Sequence, residues 1–282
     1  MKEKETKTPA TVKVKVAEKD FNFLKKVNGI RDEIIIKRSK VKEKSKGENK
    51  GNEVEYDVNT VVVMDDVDSY MVQTTQLTPM FTGDNFGLKN IKAFLKAVST
   101  YGEMEEHEDN IIFSTDKKKM TYRKLDAATI TGVKSLPVID TAGYVSIQLT
   151  KEEIKSVQEG LKNDLSDYAS LRITPDNKLI LKIGELSYDN IYEQEVKEIT
   201  RKDVKDKSEI KFLSKLNYLK RLFENVDDDS KASLFLKAGS PLIFVEKSAQ
   251  THTKTFIAPA MDEEDSEDEE KVNKIIEGNK DE

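Results

Sequence analysis

The sequence has no cysteine in 282 residues. That excludes disulfides, a thiolate nucleophile and cysteine-ligated metal, and it fits an intracellular setting. Histidine occurs only twice, as His107 in the acidic run EMEEHED and His252 in a strand-like run. Two isolated imidazoles without an HExxH spacing build neither a zinc site nor a general base, so both read as surface or structural residues. No GxxxxGK(S/T) or GxGxxG segment supplies the backbone nest that cradles a nucleotide phosphate. The run Asp227-Asp228-Asp229 lacks the glycine and the distal glutamate of an EF-hand loop and reads as a turn. No apolar run reaches about 18 residues, so no membrane span is expected. The opening MKEKETKTPATVKVK has no apolar core of a secretory signal. The expectation is a non-enzyme without cofactor or metal. It would work in the cytoplasm of a prokaryotic or phage-infected cell, or in the nucleus of a eukaryotic one.

What is abundant is charge: 35% of residues are charged and 37% apolar, with a formal net charge of −6. That net value hides a division. Residues 262–282 hold 11 acids and 3 lysines, whereas residues 1–261 hold 42 acids against 44 bases. The body is slightly basic, and the acid sits in DEEDSEDEE, a self-repelling run expected to be a disordered tail. Residues 1–15 read as a flexible arm. The stretch Lys37–Glu55, rich in Lys, Glu, Gly and Asn, offers little to bury. It reads as an elongated hairpin loop between strand-like runs at Glu33–Ile36 and Val58–Met64, solvated or touching DNA.

Four short segments pair an apolar stripe with lysine on the opposite face at 100° per residue. Leu88, Ile91, Leu95 and Val98 align, with Lys89, Lys92 and Lys96 across from them. From Asp20, Leu24 and Val27 turn inward, Lys25 outward, and Lys26 lies at the flank. From Lys151, Ile154, Val157 and Leu161 oppose Lys155 and Lys162. From Lys211, Phe212, Leu216, Leu219 and Phe223 align, away from Lys211, Lys215 and Arg221. One such helix is an ordinary solvated face. Four, in two similar halves, suggest a basic helical surface for a polyanion. Strand-like segments follow each helix, among them Met120–Arg123, Leu179–Ile183 and Leu242–Lys247, with turns at Pro175-Asp176-Asn177 and Gly239-Ser240-Pro241. Each half is helix, strands, helix, strands, which indicates a duplicated α+β domain. The expected division is 16–130, an extended connector at 131–144, and 145–261. No aromatics interleave the lysines, which argues against single-strand stacking.

This pattern resembles the DNA sliding clamps, the processivity-factor family that includes proliferating cell nuclear antigen and the T-even phage clamp. The closing stretch SPLIFVEKSAQTHTKTFIAPAMDEED resembles the cellular clamp's last strands, Ala-Pro ending and acidic terminus. FLSKLNYLKRLFENVDDDSKASLFLKAGSPLIF resembles the preceding helix-and-hairpin unit, and FGLKNIKAFLKAVSTYGEMEEHEDNIIFSTDKKKMTYRKLDAATI the phage clamp's second helix and hairpin. The resemblance implies helices lining a ring with sheets outside. It implies sequence-independent contact with double-stranded DNA through Lys25, Lys26, Lys89, Lys92, Lys96, Lys155, Lys162, Lys211, Lys215 and Arg221. It also implies a tethered DNA polymerase, an ATP-dependent clamp loader and self-assembly, as a homotrimer. Ring closure would pair Lys119–Lys124 of one subunit with Asn177–Glu185 of the next. A partner pocket beneath the connector would use Leu136, Val138 and Ile139, Pro241 and Leu242, and Phe256, Ala258 and Pro259. Two alternatives stay open at this point: a monomeric processivity factor held by charge, and a clamp-fold interaction protein such as a checkpoint ring subunit or transcription co-activator.

Overall fold

A computed structural model describes residues 13–44, 53–130, 140–184, 190–200 and 208–260. Most of the expected N-terminal arm, the acidic tail, and Leu136, Val138 and Ile139 of the connector lie outside these. The first half runs β1 (Lys13–Lys15), a 3-10 turn at Glu18–Phe21, the one-turn helix α1 (Asn22–Lys25), β2 (Glu33–Lys44), β3 (Glu53–Met64), β4 (Tyr70–Gln76) and β5 (Phe86–Lys89). Helix α2 (Ile91–Tyr101), β6 (Glu103–Glu106), β7 (Asn110–Ser114), β8 (Lys119–Arg123) and the short β9 (Leu125–Asp126) complete it. The second half runs β10 (Val145–Leu149), α3 (Lys151–Gly160), β11 (Tyr168–Ile173), β12 (Lys178–Ile183), β13 (Tyr192–Glu198) and β14 (Ile210–Lys215). It ends with α4 (Leu216–Glu224), β15 (Lys231–Leu236), β16 (Leu242–Lys247) and β17 (Thr251–Ile257).

The duplication is visible in the strand orders. In the first half they are β4-β3-β2-β5 and β1-β6-β7-β8; in the second, β13-β12-β11-β14 and β10-β15-β16-β17. Apart from the short β9, which lies beyond β5, each strand therefore has a counterpart in the other half, and β4 and β8 correspond to β13 and β17. The chain forms two compact units. The first is Met1–Asp66, Met71–Val138 and Glu246–Lys254; the second is Val67–Tyr70, Ile139–Val245 and Thr255–Glu282. In the strand order β17 is the neighbour of β4, and within the first unit the Thr74 and Thr253 hydroxyls meet at 3.1 Å.

Local chemistry fixes where the helices begin. Asn90 takes a left-handed conformation (φ 56°) that bends the chain out of β5, and its Oδ1 accepts the Ala93 N–H at 3.0 Å. This is an N-cap satisfying one of the helix's free donors. Gly102 (φ 71°) ends α2 in the conformation glycine adopts without Cβ strain. Thr150 and Glu153 form a reciprocal capping box on α3: Glu153 N–H donates to Thr150 Oγ1 at 3.2 Å, and Thr150 N–H to Glu153 Oε2 at 2.7 Å. The first unit's core is a phenylalanine cluster in which Phe94 meets Phe21 edge-on at 5.6 Å and Phe113 at 5.2 Å. The second is mainly aliphatic, with Leu219, Leu234 and Leu181 fully buried and Phe223 against Phe244 at 5.6 Å.

Three expectations need correction here. Leu88 and Lys89 belong to β5, paired with Ile34 and Glu33, and Lys211 and Phe212 belong to β14, paired with Arg172 and Leu171. Both helices therefore start later than their apolar spacing suggests. Lys37–Glu55 is not a loop throughout, because the β2–β3 ladder continues in register from Ile36↔Val61 to Lys44↔Glu53. The expected subunit edge at Asn177–Glu185 is an inner strand: β12 is flanked by β11 and β13, and that sheet ends in β13 on one side and β14 on the other.

Candidate nucleic-acid interface and strand edges

Helix α2 buries Ile91, Phe94, Ala97 and Val98 and exposes Lys92 and Lys96. It contains no acidic residue, and neither lysine makes an ion pair among the described residues. Lys89, one residue before the cap, is engaged instead. Its ammonium lies 3.0 Å from a Glu33 carboxylate oxygen, and that hydrogen bond raises its pKa above the ordinary lysine value. Lys25 is half-exposed and pairs with Glu18 at 2.9 Å.

Lys26 contradicts its assignment to a DNA-facing surface. It is 5% exposed, and its Nζ donates to both carboxylate oxygens of Glu246 at 2.8 and 2.9 Å. Such a pair satisfies two charges that burial would otherwise penalise. A phosphate cannot reach this ammonium while Glu246 holds it.

In the second unit, α3 and α4 pack together, and Gln158 Nε2 donates to Phe223 O at 2.7 Å. The groove between them, about 440 Å³, has Leu161 in its floor and Lys155, Lys162 and Lys220 on its rim. Glu159, Asp164 and Glu224 share that rim. Lys155 and Lys162 are exposed without an ion pair among the described residues, whereas Lys220 is tied to Asp164. Lys151 pairs with Asp228 at 2.9 Å, and this contact holds the Asp228 carboxyl below its ordinary pKa. The face is thus mixed in charge, less basic than α2. On α4, Arg221 stacks its guanidinium over the buried Tyr70 ring at 5.8 Å and is half-buried. Lys215, exposed at the helix start, lies over Tyr218 at 5.8 Å. Lys211 is half-buried on β14.

The two sheet edges carry opposite charge. On β8, Lys119, Thr121 and Arg123 are exposed, while Met120 and Tyr122 face inward. Tyr122 meets Phe94 edge-on at 5.2 Å and donates its hydroxyl to Asn90 O at 3.1 Å. Burial pushes its pKa up to about 12, so it stays a donor. On β13, Glu193, Glu195 and Glu198 are exposed. Lys178 reaches Glu195 at 2.8 Å and Lys182 reaches Glu193 at 3.9 Å, which offsets part of this charge. The other face of β13 grips α3. Gln194 Nε2 bonds Ser156, Tyr192 OH bonds Gln194 Oε1 at 2.9 Å, and Lys197 Nζ reaches Gln148 O at 2.7 Å and Glu153 Oε2 at 3.1 Å. Gly160 makes this fit possible, since a Cβ there would meet Gln194 Oε1 and lie 2.8 Å from Leu181 Cδ2. Sequence reasoning missed β13 because YEQEVKE has too few apolar residues to read as a strand, though its period-2 placement of glutamate was a usable signal.

Of the expected partner-pocket residues, Leu242 (0% exposed) and Phe256 (5%) are core side chains, turned inward by strand alternation. They cannot anchor a ligand at the surface. Pro241 and Ala258 are half-buried and Pro259 is exposed. Pro241 O accepts the Tyr144 hydroxyl at 3.2 Å, and Ala258 N–H donates to Ser69 O at 2.8 Å. Among the described residues, no group of three or more His, Asp or Glu is placed to hold a metal ion. No described helix is long and apolar enough to cross a membrane.

No protein-family model and no curated protein matches the sequence. Solved structures do. The structure of A. fulgidus PCNA bound to the C-terminal region of FEN-1 aligns over 89% of this chain and 98% of its own, with TM-score 0.63 and 14% identity. PCNA from Thermococcus kodakaraensis aligns over 89% and 99%, with TM-score 0.62 and 14% identity. At that identity the likeness is one of fold, and it embraces both duplicated halves. The chain has the α+β fold of the DNA sliding clamps.

Proposed function

We propose that this protein is a ring-forming sliding clamp that encircles duplex DNA, tethers a DNA polymerase and other DNA-processing partners, and performs no chemistry itself. The observation that carries the proposal is a correspondence between strands that end sheets and strands that lie side by side within the chain. Within the chain, β17 lies beside β4. Their counterparts in the duplication, β8 and β13, each end a sheet. Joining β8 of one copy to β13 of the next would repeat the internal junction between molecules. Lys119 and Arg123 would then face Glu193, Glu195 and Glu198. Head-to-tail pairing of unlike surfaces closes a ring when the rotation fits, and six units would make it a trimer. It would also cover two sheet edges that are otherwise templates for aggregation.

In such a ring Lys92 and Lys96, with Lys155, Lys162 and Lys215, are the lysines proposed to face phosphate. Lysine suits the task as a mobile point charge that exchanges phosphates without reading bases. Confinement on DNA would raise the polymerase's effective concentration at the template, an avidity effect that needs no new contact. Loading onto closed DNA is assigned to a separate ATP-dependent loader. Partner peptides, of which the FEN-1 C-terminal region on the A. fulgidus protein is an example, are proposed to bind at the connector through Leu136, Val138 and Ile139, beside Pro241, Ala258 and Pro259.

Native mass spectrometry at micromolar concentration, with polymerase run-off on a long primed circle, tests the reading. A trimer that lengthens products supports it. A monomer that lengthens products favours a charge-held factor, and a trimer without effect on synthesis favours a clamp-fold interaction protein.

A further inference from the structure

The junction within the chain has a definite register, which pairing between copies would have to repeat. Leu77 N–H donates to Gln250 O at 2.8 Å, the Thr74 and Thr253 hydroxyls meet at 3.1 Å, and Ala258 N–H donates to Ser69 O at 2.8 Å. One antiparallel register satisfies all three contacts. It makes Leu77 with Gln250 and Ser69 with Ala258 hydrogen-bonded pairs. Thr74 with Thr253 is then a non-hydrogen-bonded pair, the kind whose side chains come closest.

The duplication carries this register to β8 and β13 residue by residue. The turns that open β8 and β17 are alike. Thr115 N–H donates to Lys118 O and Ser248 N–H to Thr251 O, both at 2.8 Å, while the Thr115 and Ser248 hydroxyls accept the Lys118 and Thr251 N–H at 3.1 and 2.9 Å. Lys118 therefore corresponds to Thr251, and Met120 to Thr253. Asp32 O and Asp167 O accept the N–H of Asn90 and Leu216, which aligns the start of β2 with that of β11. The ladder Ile36↔Val61↔Thr74 then matches Leu171↔Leu181↔Gln194, so Thr74 corresponds to Gln194. Gln194 of one copy would face Met120 of the next. The same register sets Tyr192 opposite Tyr122, Glu193 opposite Thr121, Glu195 opposite Lys119 and Ile191 opposite Arg123.

The last of these pairs has unusual surroundings. Ile191 is 56% exposed although it is large and apolar. Its backbone is seated on Gly184 (φ 88°), where a Cβ would collide with Asn190 O and lie 3.5 Å from Ile191 Cα. Its counterpart Met71 is half-buried, and Phe256, the counterpart of Arg123, is buried. Beside β8 the first unit has a hollow of about 640 Å³. Its lining includes Phe86 and Leu125, Thr121 and Arg123 of β8, and Asp109 and Asn110. Arg123 is exposed and makes no ion pair among the described residues.

We infer that this hollow receives Ile191 of the next copy, so that an apolar side chain keys the register of the strand junction. The inference rests on the ring proposed above. Residues opposite one another on paired strands point to the same side, and alternation puts Ile191 with Glu193 and Arg123 with Thr121. Arg123 can lay its methylenes over Ile191 while its guanidinium stays in water. Charge alone is a poor key here, because Glu193 and Glu195 already reach Lys182 and Lys178 within their own chain. A slip of two residues would keep every side chain on its face, yet it would carry Ile191 roughly 7 Å along β8 and away from Arg123.

A chain without cysteine suits disulfide trapping. In this register Thr121 and Glu193 form a hydrogen-bonded pair with Cα atoms about 5.5 Å apart, a separation that a disulfide spans. The full chain carrying Thr121→Cys and Glu193→Cys should oxidise to covalent oligomers on a denaturing gel. Thr121→Cys with Glu195→Cys should not, because those Cα atoms lie beyond about 7 Å. By sedimentation, Ile191→Ser should weaken assembly about tenfold through lost apolar burial, and Ile191→Met should stay within about threefold. Ile191 is exposed in the single chain, so circular dichroism should not change in either variant. The native mass of the unsubstituted chain separates the two readings. A monomer at every concentration overturns the ring and this inference together. An oligomer that cross-links only through the shifted pair, or that assembles as well with Ile191→Ser, leaves the ring standing and overturns the inference alone.

Discussion

Replacing Lys26 with methionine should remove a large part of the protein's stability and none of its DNA affinity. The side chains of Lys26 and Glu246 are 4% and 3% exposed, and one ammonium satisfies both carboxylate oxygens. Methionine nearly conserves the volume, so little of the effect is a cavity. What remains is a carboxylate buried without its counter-charge, a defect that costs about 3–5 kcal/mol. Against a total stability of about 5–15 kcal/mol, this is a substantial fraction. Adding Glu246→Leu removes the stranded charge, and the double variant should recover most of the loss. Urea denaturation followed by far-ultraviolet circular dichroism measures all three proteins. Duplex-DNA affinity of the folded single variant should stay within about twofold, because the missing ammonium never reached solvent. A loss of stability below about 1 kcal/mol, together with about tenfold weaker DNA binding, would refute the reasoning and return Lys26 to the surface.

Four other outcomes are expected. Lys92→Glu with Lys96→Glu should weaken duplex binding and reduce the slope of log K against log salt by about 0.9 for each phosphate no longer neutralised, with the unfolding midpoint unmoved. Lys119→Glu with Arg123→Glu should shift the native mass toward monomer, and Glu193→Lys with Glu195→Lys in the same chain should restore assembly. Gly160→Ala should destabilise by about 1–3 kcal/mol through overpacking against Gln194 and Leu181, read by thermal unfolding. Carboxyl-carbon resonances should titrate Asp57 below its ordinary 3.8, because the hydrogen bond from Arg38 favours its charged form. A depressed acid contributes its pairing above the unfolded value and loses it as pH falls through the folded one, so the contact from Arg38 Nη2 to Asp57 Oδ2, 2.8 Å long, should weaken only below about pH 4. Arg38→Ala should return the titration to the ordinary value.

The sequence revealed the duplication and misplaced its joints, for identifiable reasons. Helices α2 and α3 were readable because their apolar residues recur at 3.6 and their caps are local. The spacing of Leu88, Ile91, Leu95 and Val98 fits one helix face, but Leu88 pairs with Ile34 in a sheet. The left-handed turn at Asn90 that separates strand from helix leaves no mark on hydrophobic periodicity. Phe212 was ambiguous for a related reason, since a single apolar residue at a strand–helix junction satisfies both periods. Lys26 could not have been placed correctly, because Glu246 is 220 residues away. The free edge was assigned to the more hydrophobic strand. Strands flanked on both sides are the apolar ones, so Leu179, Leu181 and Ile183 marked an inner strand, while the polar YEQEVKE formed the edge.

The grip of β13 on α3 has a mechanical consequence. Lys197 holds the helix at Glu153 in its first turn, and Gln194 holds it at Ser156 and seats beside Gly160 at its end. The span from Glu153 to Gly160 is roughly 10 Å at about 1.5 Å per residue. A rod fastened near both ends to a strip resists sliding and rolling alike. Load applied along β13 would therefore be borne by α3 as a whole, tilting the helix before the strip could peel from its sheet. Strain arising at one rim of the second unit would reach the charged groove between α3 and α4 without any intervening loop to absorb it.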